Sequence, residues 1–199
     1  MRNILLFASG AGTNAENIIL HFKKSNIGKV AAVFCNKPNA KVLDRAKQLQ
    51  VTTVVFSKED FNSELFLQKL DVFKPDLIVL AGFLWQLPEY FIKSYTDKII
   101  NIHPALLPKY GGKGMYGMNV HQSVLENKEK ETGITIHYVN EHYDEGKIIF
   151  QQSVSVENCK TAEEIAIKIH ELEHKYFPTI IQEILNLKSL YVPPSPYLY

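Results

Sequence analysis

An asparagine and a histidine two positions apart, followed at once by proline, make Asn101-Ile102-His103-Pro104 the segment of this chain best suited to chemistry. In an extended segment that spacing puts both side chains on one face. Pro104 favours the extended form at His103, because the residue before a proline avoids the helical region. An amide N–H can stabilise an oxyanion, and an imidazole can move a proton near neutral pH. Together they suit acyl transfer, although the same pattern also fits a strand cap beside a structural histidine. Asp144 lies far along the chain in the polar run Glu141-His142-Tyr143-Asp144-Glu145-Gly146. A carboxylate beside an imidazole would orient it and raise its pKa. The same residue also reads as a surface acid in a turn before Gly146.

A second candidate is the turn Ser9-Gly10-Ala11-Gly12-Thr13-Asn14. Glycines let the backbone turn sharply and approach a ligand, and free N–H groups at a following helix start favour an anion. Gly10, Gly12 and Ala15 also satisfy a loose dinucleotide fingerprint, but that fingerprint wants an acidic residue about 20 positions on. The second apolar run ends instead at Cys35-Asn36-Lys37, so a lone phosphate is the better expectation than a nicotinamide dinucleotide.

Positioning such groups needs a scaffold, and the apolar pattern supplies one. Strands are expected over residues 4–8, 30–35, 51–56, 77–81 and 99–102, separated by helices over 14–24, 41–50 and 62–73. Continuous apolar strands alternating with helices indicate a mostly parallel, doubly wound α/β sheet covered on both faces. The ends of its strands are where ligands bind. After Pro108 the pattern changes. A glycine-rich loop over 110–117 leads to a helix over 120–127 and then to two alternating strands, 134–139 and 147–156, expected to run antiparallel. A last helix spans 161–187, with Thr161 and Glu164 as a capping box and Pro178 expected to kink or interrupt it. Residues 192–199, with three prolines, read as an extended, flexible tail.

The totals narrow the class. A chain of 199 residues without repeat or linker is expected to form a single domain, 1–199. A net charge of +1 with no basic block argues against a nucleic-acid partner. No run approaches the roughly 18 apolar residues of a membrane span, so a cytoplasmic enzyme is expected. Cys35 and Cys159 stand far apart in no metal-ligand spacing, so neither a disulfide nor a metal site is expected.

Five segments together resemble the phosphoribosylglycinamide formyltransferases, a family of folate-dependent enzymes of purine synthesis. They are the turn at 9–14; Leu80-Ala81-Gly82-Phe83; the run from Asn101 to Tyr110 with its His-Pro-x-Leu-Leu-Pro core; Thr132-Gly133-Ile134-Thr135-Ile136-His137-Tyr138-Val139 with Asp144 and Gly146; and Glu173-His174 near Pro178. The resemblance implies a Rossmann-like formyltransferase fold, 10-formyltetrahydrofolate as formyl donor and glycinamide ribonucleotide as acceptor, with no metal. It implies that Gly12, Thr13 and Asn14 hold the ribonucleotide's phosphate and that Glu173 contacts its ribose. Leu84, Trp85, Gln86 and Leu87 would line the folate pocket together with Asn101. Asn101 would steady the formyl oxygen, and His103 would exchange protons, with Asp144 raising its pKa and His137 in support. A monomer or weak homodimer is expected. Three places depart from the family pattern. Trp85 stands where an arginine is common, the stretch 56–66 has no arginine, and the loop 111–118 is long and contains Lys113. Two neighbouring activities share much of the signature. Methionyl-tRNA formyltransferase would add a C-terminal domain, and formyltetrahydrofolate deformylase a regulatory domain before the first strand. An inactive folate- or nucleotide-binding module is the non-enzyme alternative.

Overall fold

The computed structural model describes residues 1–190, with side chains as far as Leu187, so the expected tail at 192–199 lies outside the described residues. The chain runs β1 (Arg2–Ala8), α1 (Thr13–Phe22), β2 (Gly28–Cys35), α2 (Lys41–Gln48), β3 (Thr52–Val55), α3 (Lys58–Phe61) and α4 (Phe66–Asp71). It continues through β4 (Leu77–Leu80), α5 (Glu89–Ser94), β5 (Ile99–His103), α6 (Met118–Glu126), β6 (Glu131–Tyr138), β7 (Ile148–Ser155) and α7 (Ala162–Leu190). All seven strands form one sheet in the order β3-β2-β1-β4-β5-β6-β7. The first five are parallel; β6 and β7 are antiparallel.

The central strands are apolar at every position because both faces are covered. Ile4, Leu6 and Ala8 of β1 pack on one side with α1, α2 and α7, against residues such as Ile18, Val42 and Phe177. Leu5 and Phe7 point to the other side, into a cluster with Phe34, Phe56, Phe61, Phe66 and Phe91. Each buried aliphatic or aromatic side chain contributes about 1.5–3 kcal/mol. The phenylalanines add ring contacts, among them Phe7 stacked on Phe34 at 5.0 Å and Phe83 edge-on to Phe7 at 5.4 Å. Phe83 and Trp85 join this cluster, which seats the loop after β4 on the core.

Three local expectations shift. The helix expected at 62–73 is shortened to α4 at Phe66–Asp71, and a separate short helix, α3, precedes it, started by the reciprocal capping box of Ser57 and Asp60. Short α5 had no clear signal. The start of α7 has half of the expected box. Thr161 Oγ1 accepts from Glu164 N at 3.2 Å, but the Glu164 carboxylate reaches back to Lys160 N rather than to Thr161 N. Helix α7 also runs through Pro178 without interruption.

Chain reversal on the sheet places the site. Successive strands step from β1 outward to β3, then return to the far side of β1 as β4 and β5. The crevice above the carboxyl ends of β1 and β4 is therefore the topological switch point, where doubly wound sheets bind ligands. No described helix is long and apolar enough to cross a membrane.

Candidate active site

A cavity of about 560 Å³ opens at that switch point. Its walls come from the turn after β1, the loop after β4, the end of β5, the glycine loop before α6, the loop after β6 and one face of α7. Every site residue expected from the sequence lies on it: Gly12, Thr13, Asn14, Leu84, Trp85, Gln86, Leu87, Asn101, His103, His137, Asp144 and Glu173.

The glycine turn forms one end. Gly12 has a left-handed backbone, φ +77°, and a Cβ there would lie 2.4 Å from Val42 Cγ2, so only glycine fits. It caps α1 without a side-chain bond, and the first N–H groups of a helix have no partner within it, an arrangement that can receive an anion. Asn14 Nδ2 donates to Glu173 Oε2 at 2.9 Å, so these two expected residues meet directly across α1 and α7. His170, one turn before, bonds the same oxygen through Nδ1 at 3.0 Å, and that carboxylate raises the His170 pKa.

Asn101 and His103 form the middle. Both stand on β5, and its antiparallel register sets Asn101 opposite His137 and His103 opposite Thr135. His137 Nδ1 lies 2.9 Å from the Tyr138 carbonyl, so that nitrogen bears the hydrogen. Its Nε2 is then free to accept from Asn101 Nδ2 at 3.2 Å, which fixes the amide and leaves the second amide hydrogen unspent. His103 is 3% exposed. Its Nε2 lies 2.7 Å from the Tyr110 carbonyl and therefore donates. The remaining nitrogen, Nδ1, faces Asp144 Oδ2 at 3.5 Å.

Asp144 reaches this group because its loop folds back sharply. Gly146 presses on the Tyr138 carbonyl so closely that a Cβ would fall 1.7 Å from its oxygen. Asp144 itself is left-handed, φ +57°, a conformation that aspartate tolerates better than most residues. Its carboxylate accepts from Gly112 N at 2.9 Å and lies 3.6 Å from His137 Nε2. Burial pushes the Asp144 pKa up, but His137, His103 and the Gly112 N–H together outweigh it, and the net shift is down. Asp144 is thus a carboxylate at neutral pH. Separations of 3.5 and 3.6 Å are too long for hydrogen bonds, so it acts on the imidazoles through its charge.

The balance on His103 differs from the expectation. Asp144 and the Tyr110 carbonyl do raise its pKa, but burial lowers it by more, and the net shift is down. His103 therefore rests unprotonated at neutral pH, with a vacant Nδ1 lone pair beside a carboxylate.

The loop after β4 lines the apolar flank. Leu84 N donates to Ser9 Oγ at 3.1 Å, so that backbone group is already used. Leu87 is buried, Gln86 reaches the Glu141 carbonyl at 3.4 Å, and Lys58 Nζ sits 4.5 Å above the Trp85 ring. Several lining groups had no sequence signal. The Gly112 N–H is a backbone atom, as is the Tyr110 carbonyl to which His103 donates, and His121 and His170 are single histidines on helices. Two buried polar atoms of residues that line this cavity, Asn14 Oδ1 and His121 Nδ1, have no partner, as have both side-chain polar atoms of Asn36, which is not among the lining residues. Among the described residues no group of three or more histidine, cysteine, aspartate or glutamate side chains is arranged to hold a metal ion.

Strand order, site position and the Asn-x-His segment define the class: the chain belongs to the formyl transferase family, which matches residues 2–181. Its relatives narrow this further. The phosphoribosylglycinamide formyltransferase of Bacillus subtilis is 35% identical over 195 residues, covering 95% of this chain and 97% of that protein. The enzyme of the same name from Escherichia coli is 36% identical, covering 90% and 85%. Among solved structures, phosphoribosylglycinamide formyltransferase from Bacillus halodurans superposes with a TM-score of 0.86 at 33% identity, covering 96% of this chain and all of that one.

Proposed function

We propose that this chain transfers the formyl group of 10-formyltetrahydrofolate to the amine of glycinamide ribonucleotide. The observation that carries the reading is the convergence of Asn101, His103 and Asp144 in one cavity with a phosphate-type turn at its far end. The relatives' shared name supports the acceptor and the formyl group, and the family resemblance of the sequence suggests the folate donor. Gly12, Thr13 and Asn14 hold the phosphate, and Glu173 takes hydroxyls of the ribose. The folate lies along Leu84, Trp85, Gln86 and Leu87.

In this mechanism the amine attacks the formyl carbon. Charge gathers on the formyl oxygen, where the free hydrogen of the Asn101 amide stabilises it. The former amine becomes acidic as its new bond forms, and His103 Nδ1 takes its proton directly or through a water. The resulting imidazolium lies between the Asp144 carboxylate and the Tyr110 carbonyl, which both favour its charge. As the tetrahedral centre collapses, the His103 imidazolium returns that proton to the folate nitrogen, which leaves, and His103 is neutral again. Holding two substrates in attack geometry contributes about 7–11 kcal/mol in well-oriented cases.

The direct test mixes the protein with both substrates and follows the chromophore of the deformylated folate. Turnover that requires the ribonucleotide supports the reading. None at saturating substrate overturns it, and release without the amine would identify a hydrolase.

A pH profile tests the Asp144 role. Its carboxylate raises the His103 pKa, so Asp144→Asn lowers it further. Activity needs unprotonated His103 and falls as pH drops through that pKa. The acidic limb of the rate profile should therefore move to lower pH, while turnover at its plateau falls as the imidazolium loses its counter-charge. An acidic limb that stays in place would separate Asp144 from the histidine.

A further inference from the structure

The glycine turn does not shape itself, and the groups behind it come from α2. Three consecutive turn residues are each met from that helix. Val42 N donates to the Gly10 carbonyl at 3.2 Å. Arg45 Nε donates to the Ala11 carbonyl at 3.0 Å. The Val42 side chain fills the space where a Cβ of Gly12 would lie. Arg45 also pairs through Nη1 with Glu16, in the first turn of α1. One guanidinium thus ties α2 to the turn on one side and to the helix beyond it on the other. Two turn carbonyls are drawn backward into α2, away from the cavity that the turn lines. A carbonyl facing an incoming phosphate would repel it, whereas N–H groups and the positive end of α1 attract it.

We infer that Arg45 is a positioning residue for substrate phosphate: without touching the ligand, it holds the 10–12 turn in its anion-accepting form. The inference rests on the proposed acceptor being a phosphorylated amine. Arg45 is partly exposed, with a third of its side chain open to solvent, so its value lies in geometry more than in the ion pair itself. A planar guanidinium presents its donors in a rigid fork that serves two directions at fixed geometry, which the compact ammonium of a flexible lysine does not reproduce.

The experiment compares steady-state kinetics of the wild type, Arg45→Met and Arg45→Lys on glycinamide ribonucleotide and on the matching riboside, which lacks the phosphate. Both variants should raise KM for the ribonucleotide, on the order of tenfold in Arg45→Met, the scale of one charge-assisted hydrogen bond. KM for the folate donor, kcat, and kcat/KM for the riboside should stay at wild-type values. An equal loss on riboside and ribonucleotide, a parallel rise in the donor KM, or an unchanged ribonucleotide KM would overturn the positioning role. Thermal unfolding runs alongside; should Arg45→Met fail to fold, Arg45→Lys decides by the same split. A wild type that turns over neither acceptor would instead overturn the proposed function, an outcome distinct from all of these.

Discussion

Replacing His103 with alanine should lower kcat by about 10²–10⁴-fold, the range contributed by a positioned proton acceptor. The geometry leaves no obvious substitute. His137 has its Nδ1 committed to the Tyr138 carbonyl and its Nε2 to the Asn101 amide. Asp144 is held as a carboxylate of lowered pKa, a weak base. Water can enter the space left by the ring, which sets the lower end of the range. The loss should appear in kcat and in kcat/KM together, with KM for the ribonucleotide little changed, because its proposed phosphate anchor is at the other end of the cavity. Steady-state rates at saturating donor measure this. A rate within a few-fold of wild type would remove His103 from the mechanism.

Asn101→Ala should cost about 10²–10³-fold in kcat, as loss of one oxyanion donor does elsewhere. The effect should again fall on the chemical step. Asn101 is half-buried in the middle of β5, and its backbone pairing with β4 and β6 does not depend on the side chain. Stability should therefore change little, apart from the donor lost at His137 Nε2. Single-turnover measurements with both substrates bound isolate that step. A loss confined to donor KM would mean that Asn101 binds the folate without stabilising the oxyanion.

The parallel half of the fold was legible because burial on both faces leaves runs such as Ile4-Leu5-Leu6-Phe7 that nothing but a covered strand explains. The helix at 62–73 was drawn too long because Phe66 and Leu70 do keep helical spacing within α4, while the capping box of Ser57 and Asp60 sets a separate short helix before it. Asn101 and His103 were readable as a shared face of one strand. That Asp144 meets His103 was not, since it depends on a left-handed aspartate and on Gly146 folding against Tyr138. The sign of the His103 shift was hidden for a related reason. A carboxylate neighbour can be guessed from residue types, but the burial that outweighs it belongs to the assembled cavity. Tyr110 and Gly112 contribute main-chain atoms, which leave no mark in residue identity.

The cross-strand pairing of Asn101 with His137 has a consequence for how freely the chain can be altered. A slip of one residue would turn both side chains to the opposite face, so the strands tolerate no insertion. The glycine loop is different once it has passed Gly112, whose backbone N–H bonds the Asp144 carboxylate. Beyond that point added length costs only about 0.6 kcal/mol per doubling. Residues 113–117 line the cavity, so length added there would alter its wall and its volume while Asn101, His103 and Asp144 keep their spacing.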